Sequence, residues 1–392
     1  MRGSLLAVLL LVCSSSGWGS DSSGPIWVWE DPSGEASDDY VVANKHLLFK
    51  QRQERYVGLS HSVWWLYIPE ATALNDAAYI LLTLERLLEV DLVIARGNEV
   101  SVVHSGTRIP FAERPLSISP IAFDVPKAAT ADTDYFLKIR SVGDVVTLDY
   151  QLTDANGLSA AIEASAARYY SAISIVVLLI LINFTNFVKT REKPFVFYSL
   201  YLCSILLVAM ERFGGFSRLN LPPRLVDSNP VAVFVALSYT FFALTLLSLF
   251  KEIRSLWFRL PLLVGVTTYT LFIAVTFLDL HVAYLLYARG IGTLSVLLIT
   301  MSLMYGTVTR APFAALALFG WSFAILGAAL SLLFTRGLLP AEFRGVITLG
   351  FIAEGIVFTL MLAAQHRHSI ELAHYEKSRA PNLFRASQLA LI

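Results

Sequence analysis

From Tyr169 to Ala364 the chain is a succession of apolar stretches separated by short polar ones. Seven of them read as membrane spans: Tyr169–Val188, Phe195–Met210, Pro230–Phe250, Leu260–Phe277, Tyr284–Val308, Phe313–Phe334 and Val346–Ala364. A bilayer core takes about 20 apolar residues per helix. None of the seven alternates apolar with polar positions, as the strands of a membrane β-barrel do. Helices satisfy their own backbone polar groups, which lipid demands. The pattern predicts a seven-helix bundle filling half of the chain.

Upstream, over residues 21–154, the period changes. Short β-like runs appear at Ser62–Ile68, Tyr79–Leu84, Val90–Ala95, Val100–His104, Ile121–Val125, Tyr135–Ser141 and Val145–Leu152. Turn signals divide them, such as Leu74-Asn75-Asp76 and Arg96-Gly97-Asn98, and no helical period intervenes. Many short strands at this spacing predict a β-sandwich of jelly-roll type. Tyr135, Leu137 and Ile139 share one face, and Phe136, Lys138 and Arg140 the wetter other. Val146, Leu148, Tyr150 and Leu152 alternate in the same way with Thr147, Asp149 and Gln151. The run Ser62–Ile68 is apolar on both faces, which predicts a central strand. The fold class expected is therefore α+β: a β-sandwich followed by a helical membrane bundle.

The segments between and around these blocks set the orientation. Residues 1–20 have a positive start at Arg2, an apolar run Leu5–Val12 and small residues at Gly17 and Gly19, the pattern of a secretory signal. Ala155–Arg168 is an Ala-rich connector, expected to run into the first span as one helix. A translocated β-domain makes the first span run inward, and seven spans leave the C-terminus inside. Lys189, Arg191, Lys193, Lys251, Arg254, Arg259 and Arg310 then fall on the cytoplasmic side, with Arg212, Arg218, Arg224, Arg336 and Arg344 outside. The tail Gln365–Ile392 adds Arg367, Lys377, Arg379 and Arg385 to the inside. Its Pro381-Asn382 is expected to interrupt any helix there.

Composition agrees and excludes some functions. A hydrophobic share of 56% and a mean hydropathy of +0.61 are too apolar for a soluble chain of 392 residues. The formal net charge of zero gives no reason to expect nucleic acid. Cys13 lies in the leader and Cys203 in the second span, so the β-domain must hold together by packing rather than by disulfides.

Specific stretches carry a resemblance. In the β-domain they are Glu30-Asp31-Pro32-Ser33-Gly34, Gly58-Leu59-Ser60-His61-Ser62-Val63-Trp64-Trp65-Leu66 and Val90-Asp91-Leu92. Gly106 with Ile109-Pro110-Phe111, Arg114-Pro115 and Tyr135-Phe136-Leu137-Lys138-Ile139-Arg140-Ser141 complete that set. In the membrane block they are Lys193-Pro194-Phe195-Val196-Phe197-Tyr198 and Glu354 with Phe358-Thr359-Leu360-Met361-Leu362-Ala363. Together these resemble the bacterial seven-transmembrane receptors with diverse intracellular signalling modules, with an extracellular domain of the second type. The resemblance implies an inner-membrane receptor whose outer jelly roll is similar to carbohydrate-binding modules. Two departures stand out: Tyr67 occupies a position where the family often has Arg, and no output domain follows before Ile392.

Candidate chemistry is sparse. Trp64 and Trp65 are adjacent on one strand and point to opposite faces; an exposed one would stack on a sugar ring, and otherwise both are core. Arg114 and Arg140 are candidate anion or sugar-hydroxyl contacts, with Asp91 or Glu113 as alternative carboxylate partners. Glu354 sits near the middle of the seventh span, where an ionised group is costly. It must face the interior, be protonated or have a partner, for which Arg289, Asn183 and Asn186 are candidates. Such a cluster acts as a polar lock between helices or as a plain structural bond. His366, His368 and His374 lack the further ligands of a metal site. There is no phosphate loop, no His-Glu-x-x-His and no Gly-x-Ser-x-Gly elbow, so neither a cofactor nor an enzymatic activity is expected.

The leading expectation is a receptor that binds a small extracytoplasmic ligand, a saccharide or an envelope component. It would signal through the helices to a cytoplasmic partner or a second copy of the chain. A transporter or a membrane scaffold is the alternative; the helical block has no internal repeat and no pair of broken spans to favour transport.

Overall fold

A computed structural model describes residues 25–60, 62–69, 79–82, 87, 89–97, 99–106, 109–118, 120–125, 133–140, 145–212, 230–278, 290, 292–335, 338–339 and 346–389. The expected signal segment and Arg289 lie outside these residues. The N-terminal part is built of antiparallel strands. Strands β1 (Ile26–Asp31), β2 (Lys50–Arg52), β4 (Val63–Tyr67), β6 (Glu89–Arg96), β7 (Glu99–Ser105) and β9 (Thr133–Arg140) form a six-stranded sheet in the order β2-β1-β4-β9-β6-β7. Opposite it lie a three-stranded sheet of β11 (Tyr150–Thr153), β5 (Tyr79–Leu82) and β8 (Ala122–Asp124), and a pair of β3 (Tyr56–Leu59) and β10 (Val145–Thr147). The core between the layers takes alternate residues of every long strand, among them Trp64, Leu66, Leu92, Phe123, Tyr135, Leu137 and Ile139. Strand β4 is central, as its two apolar faces require.

The second face of the large sheet is covered as well. Helices α1 (Asp38–Ala43) and α2 (Lys45–Leu48) lie across it, and Val41 and Phe49 pack on Val63, Trp65, Val93 and Phe136. The expectation of a wetter face on β9 is therefore corrected. Phe136 is fully buried, and Lys138 reaches back to Asp38 at 2.7 Å. The helices themselves, and strands β1 to β3, were not expected from the pattern. The run Val145–Leu152 is also corrected. It divides into β10 and β11, which join different sheets, because Leu148 donates its N–H to Arg55 O at 2.7 Å between them. Asp149, expected on the open face, is buried against Arg55 at 2.7 Å.

Helix α3 (Ala155–Thr190) is a single element of 36 residues, about 54 Å long at 1.5 Å per residue. Asp154 caps it, accepting the Gly157 N–H at 2.7 Å. Helices α4 (Lys193–Arg212), α5 (Pro230–Leu249), α6 (Leu256–Leu278), α7 (Gly292–Val308), α8 (Ala314–Thr335) and α9 (Val346–Leu389) complete the bundle. Six of the helices are long and apolar enough to cross a membrane; α7, described over 17 residues, is the shorter one. All seven fall on the expected runs. Helix α9 passes through Pro381, so the expected interruption is corrected. An interior proline removes one backbone donor and kinks or breaks a helix; here the helix continues to Leu389.

Candidate functional site

The motif loop after β1 is organised by Asp31, which is buried. Its carboxylate accepts from Ser33 N (3.1 Å), Ser33 Oγ (2.6 Å), Gly34 N (3.0 Å) and Ala36 N (3.1 Å). Burial alone would raise its pKa. The bonds from Ser33, Ala36 and Gly34 outweigh that and hold it below the ordinary value. Gly34 has φ +67°, and a Cβ there would meet Arg140 Nη2 at 3.0 Å. Arg140 donates to Gly34 O at 2.9 Å and lies 4.0 Å from Glu89, so it ties β9 to the motif loop. Neither Asp91 nor Glu113 is its partner; Asp91 bonds His104 at 2.8 Å.

Because the Asp31 pKa is depressed on folding, its contribution is present above the unfolded value of about 4. It is lost as pH falls through the lower folded value. Asp31→Asn should cost about 1–3 kcal/mol at neutral pH and flatten the acid limb of the stability profile. Thermal unfolding of the full chain, followed by the fluorescence of Trp27, Trp29, Trp64 and Trp65, checks both effects.

The candidate aromatic platform is buried, the core alternative for Trp64 and Trp65. Trp65 has no exposed surface and Trp64 6%. Trp64 faces the sandwich core and donates Nε1–H to Ser60 Oγ at 3.0 Å, with Arg52 5.6 Å from its ring. Trp65 faces α1, under Lys138 at 5.0 Å. Neither ring has the free face that stacking on a sugar needs. Arg114 is buried too; it donates Nε–H to Ile109 O at 3.2 Å and lies 5.4 Å from the Phe111 ring. Tyr67, one of the two departures named above, donates to Asp134 at 2.8 Å, and Lys45 pairs with the same carboxylate. Burial first, then the Asp134 bond and charge, push the Tyr67 phenol up to about 12, which keeps it a donor. Asp38–Lys138 and Lys45–Asp134 thus fasten the α1–α2 pair to the sheet from both ends.

Among the described residues the sandwich meets the bundle through α3 and α8. Leu158 and Ala161 of α3 pack on Leu81 and Ala122 of the three-stranded sheet. Tyr56 of β3 stands edge-on to Phe334 near the end of α8, ring centroids 5.4 Å apart. Further along, α3 lies against α9 through Ala172, Val176 and Ile352, and Asn183 Nδ2 donates to Thr359 Oγ1 at 2.8 Å.

Glu354 of α9 is fully buried. Its partners are two tyrosines of α4: Tyr201 donates to Oε2 at 2.7 Å and Tyr198 to Oε1 at 3.2 Å. The pairing expected with Asn183 is corrected: Asn183 serves Thr359, which lies five residues further along α9. Tyr198 and Tyr201 stand three residues apart, which places them on one helix face; that spacing opposite a buried carboxyl was the signal available. Tyr201 continues into an aromatic cluster with Phe242 at 5.0 Å, and Phe242 stacks on Trp321 at 4.8 Å. At the far end of the bundle from the sandwich, His366 contacts Glu192 at 3.0 Å and the His368 ring lies 6.1 Å from Phe313. Among the described residues no group of three or more His, Cys, Asp or Glu is placed to hold a metal.

The family model described as 7TM diverse intracellular signalling matches residues 169–365, and the model for the extracellular 2 domain of the same receptors matches residues 23–151. No curated protein matches the chain. The first model alone spans half of the 392 residues, and the second covers the sandwich. The chain belongs to the seven-transmembrane receptors with diverse intracellular signalling, as a multi-pass membrane protein with an N-terminal extracellular domain.

Proposed function

We propose that the chain senses a small extracytoplasmic ligand, a saccharide or an envelope component, through its β-domain. In this reading it sits in a bacterial inner membrane with the end of α9 in the cytoplasm. There α9 meets a partner protein or a second copy of the chain, and no enzymatic step is involved. The observation that carries the reading is the continuity of α3. One helix starts against the small sheet of the sandwich and ends against α9, the helix that leaves the bundle. A stiff element transmits displacement that a flexible linker absorbs. A ligand moves the bundle only by binding one of its arrangements better than the other, and a rod fixed at both ends makes the two domains share that preference.

The test uses the full chain in nanodiscs with a panel of saccharides and envelope fragments. A ligand of the native state raises the unfolding temperature of the sandwich in a saturable way. It should also change hydrogen exchange in α9 beyond Ala364. A shift without a change in α9 removes transmission from the reading. No shift across the panel removes the ligand class.

A further inference from the structure

We propose that Glu354, with Tyr198 and the Gly355 carbonyl, is a proton-binding site that takes up and releases one proton inside the bundle. The inference deepens the receptor reading and rests on it only for what the proton does to α9. Both carboxyl oxygens are engaged by phenols, and the Tyr198 hydroxyl has a second acceptor, Gly355 O at 3.4 Å. Hydrogen bonds from neutral phenols solvate a carboxylate but do not neutralise it. Among the described residues no Lys, Arg or His forms an ion pair with Glu354. Among the described residues the titratable groups bonded to it are Tyr198 and Tyr201 of α4. Leu179 of α3 stands beside the next residue, Gly355, and Phe242 of α5 against the Tyr201 ring; neither carries a charge. A lone carboxylate in a membrane span is costly, so a cation must be able to join it.

The hydrogen-bond geometry accommodates a proton as that cation. With the carboxylate ionised, Tyr201 donates to Oε2 and Tyr198 to Oε1. When a hydronium ion gives its proton to Oε1, an O–H bond of the hydronium breaks, water is released, and the charge of the group goes from −1 to zero. The new donor then needs an acceptor. The Tyr198 oxygen supplies it once its own hydrogen turns to Gly355 O, while Tyr201 keeps its bond to Oε2. Every donor in the cluster has an acceptor in both states, by rotation of one hydroxyl. The carbonyl that receives that hydroxyl lies where α3 touches α9. A Cβ on residue 355 would stand 3.0 Å from Leu179 Cδ1 and 3.5 Å from Leu202 Cδ2, so glycine lets α3 and α4 close on this point. The proton state therefore changes bonding at the seam between the rod from the sandwich and the helix that leaves the bundle.

Infrared difference spectroscopy of the full chain in nanodiscs tests this without a ligand, so its failure is separate from failure of the receptor reading. Across a pH titration, a carboxylic-acid C=O band should appear as pH falls and shift in heavy water. It should be lost in Glu354→Gln and displaced in Tyr198→Phe, which takes away the acceptor of the acid hydrogen. Should Glu354→Gln fail to insert, the displacement in Tyr198→Phe carries the test. A titrating band unchanged by both variants overturns the proposal. So does a Glu354 band that is absent or constant over the whole pH range. A Glu354 signal that follows sodium or potassium concentration rather than pH overturns it in favour of a metal-cation site.

Discussion

Gly350→Val should cost the bundle more than about 3 kcal/mol, the upper end of ordinary overpacking. A Cβ on Gly350 would stand 2.6 Å from Phe323 O and 3.0 Å from Gly327 Cα. The reciprocal Cβ on Gly327 would meet Gly350 Cα at 3.1 Å and Val346 O at 3.2 Å. These neighbours are backbone, so no side chain can turn aside, and α8 and α9 must separate. Close approach at small residues is what holds membrane helices together where no hydrophobic effect drives them. The damage should spread, because Glu354 lies one turn along α9 and its contacts with Tyr198 and Tyr201 depend on where that helix sits. Gly265→Ala is the control: its Cβ would meet only Leu298 Cδ1 at 3.9 Å. Alanine in a helix interior gains about 0.5–1 kcal/mol over glycine, so that variant should be neutral or slightly stabilised. Thermal unfolding and monodispersity in the same detergent compare the two. A Gly350→Val chain as stable as Gly265→Ala would mean that α8 and α9 do not cross at this point.

The membrane half of the fold was legible because lipid imposes one rule on every span. Over their described residues, Tyr169–Val188 and its six counterparts each hold a helix, and the Ala-rich connector became the first turns of α3. In the β-domain, runs bounded by turn residues were legible, whereas α2 with four residues has no period to detect and β2 (Lys50–Arg52) is wholly polar. Strand β9 shows a subtler limit. Lys138 alternates with apolar neighbours and reads as solvent-facing, yet its ammonium is held by Asp38, 100 residues earlier. Alternation reports the chemistry of a side chain, not what the rest of the chain brings to it. Glu354 shows the same limit. Its depth in the span was legible from hydropathy, which left open whether it faces the interior, is protonated or has a partner. Its partners were not, because tyrosines in an apolar helix read as interfacial or core residues until α4 and α9 are placed side by side.

Trp65→Ala should destabilise the β-domain by about 3–5 kcal/mol, the usual range for removing a large aromatic from a core. That is a large fraction of the 5–15 kcal/mol that holds a typical domain together. The expectation follows from position. Trp65 lies on the central strand, fully buried, opposite Trp29 on β1 and Lys138 on β9, and in one cluster with Val41, Phe49 and Phe136. Its removal opens a cavity beneath α1 and takes away the ring over which Lys138 sits on its way to Asp38. With that support gone, the α1–α2 pair keeps Lys45–Asp134 as its ion pair to the sheet and should loosen before the sandwich unfolds. Hydrogen exchange of residues 38–48 in the full chain should rise in Trp65→Ala, with the unfolding midpoint of the domain lower by on the order of 10 °C. Lys138→Met separates packing from charge: it keeps most of the stem over the ring but loses the ion pair, and its cost should stay near or below about 1 kcal/mol. The two readings of Trp65 diverge here. A core tryptophan yields a loosened helix pair and a lower midpoint. A ligand-stacking tryptophan yields a domain of unchanged stability, because an exposed ring contributes little to the folded state until its ligand arrives.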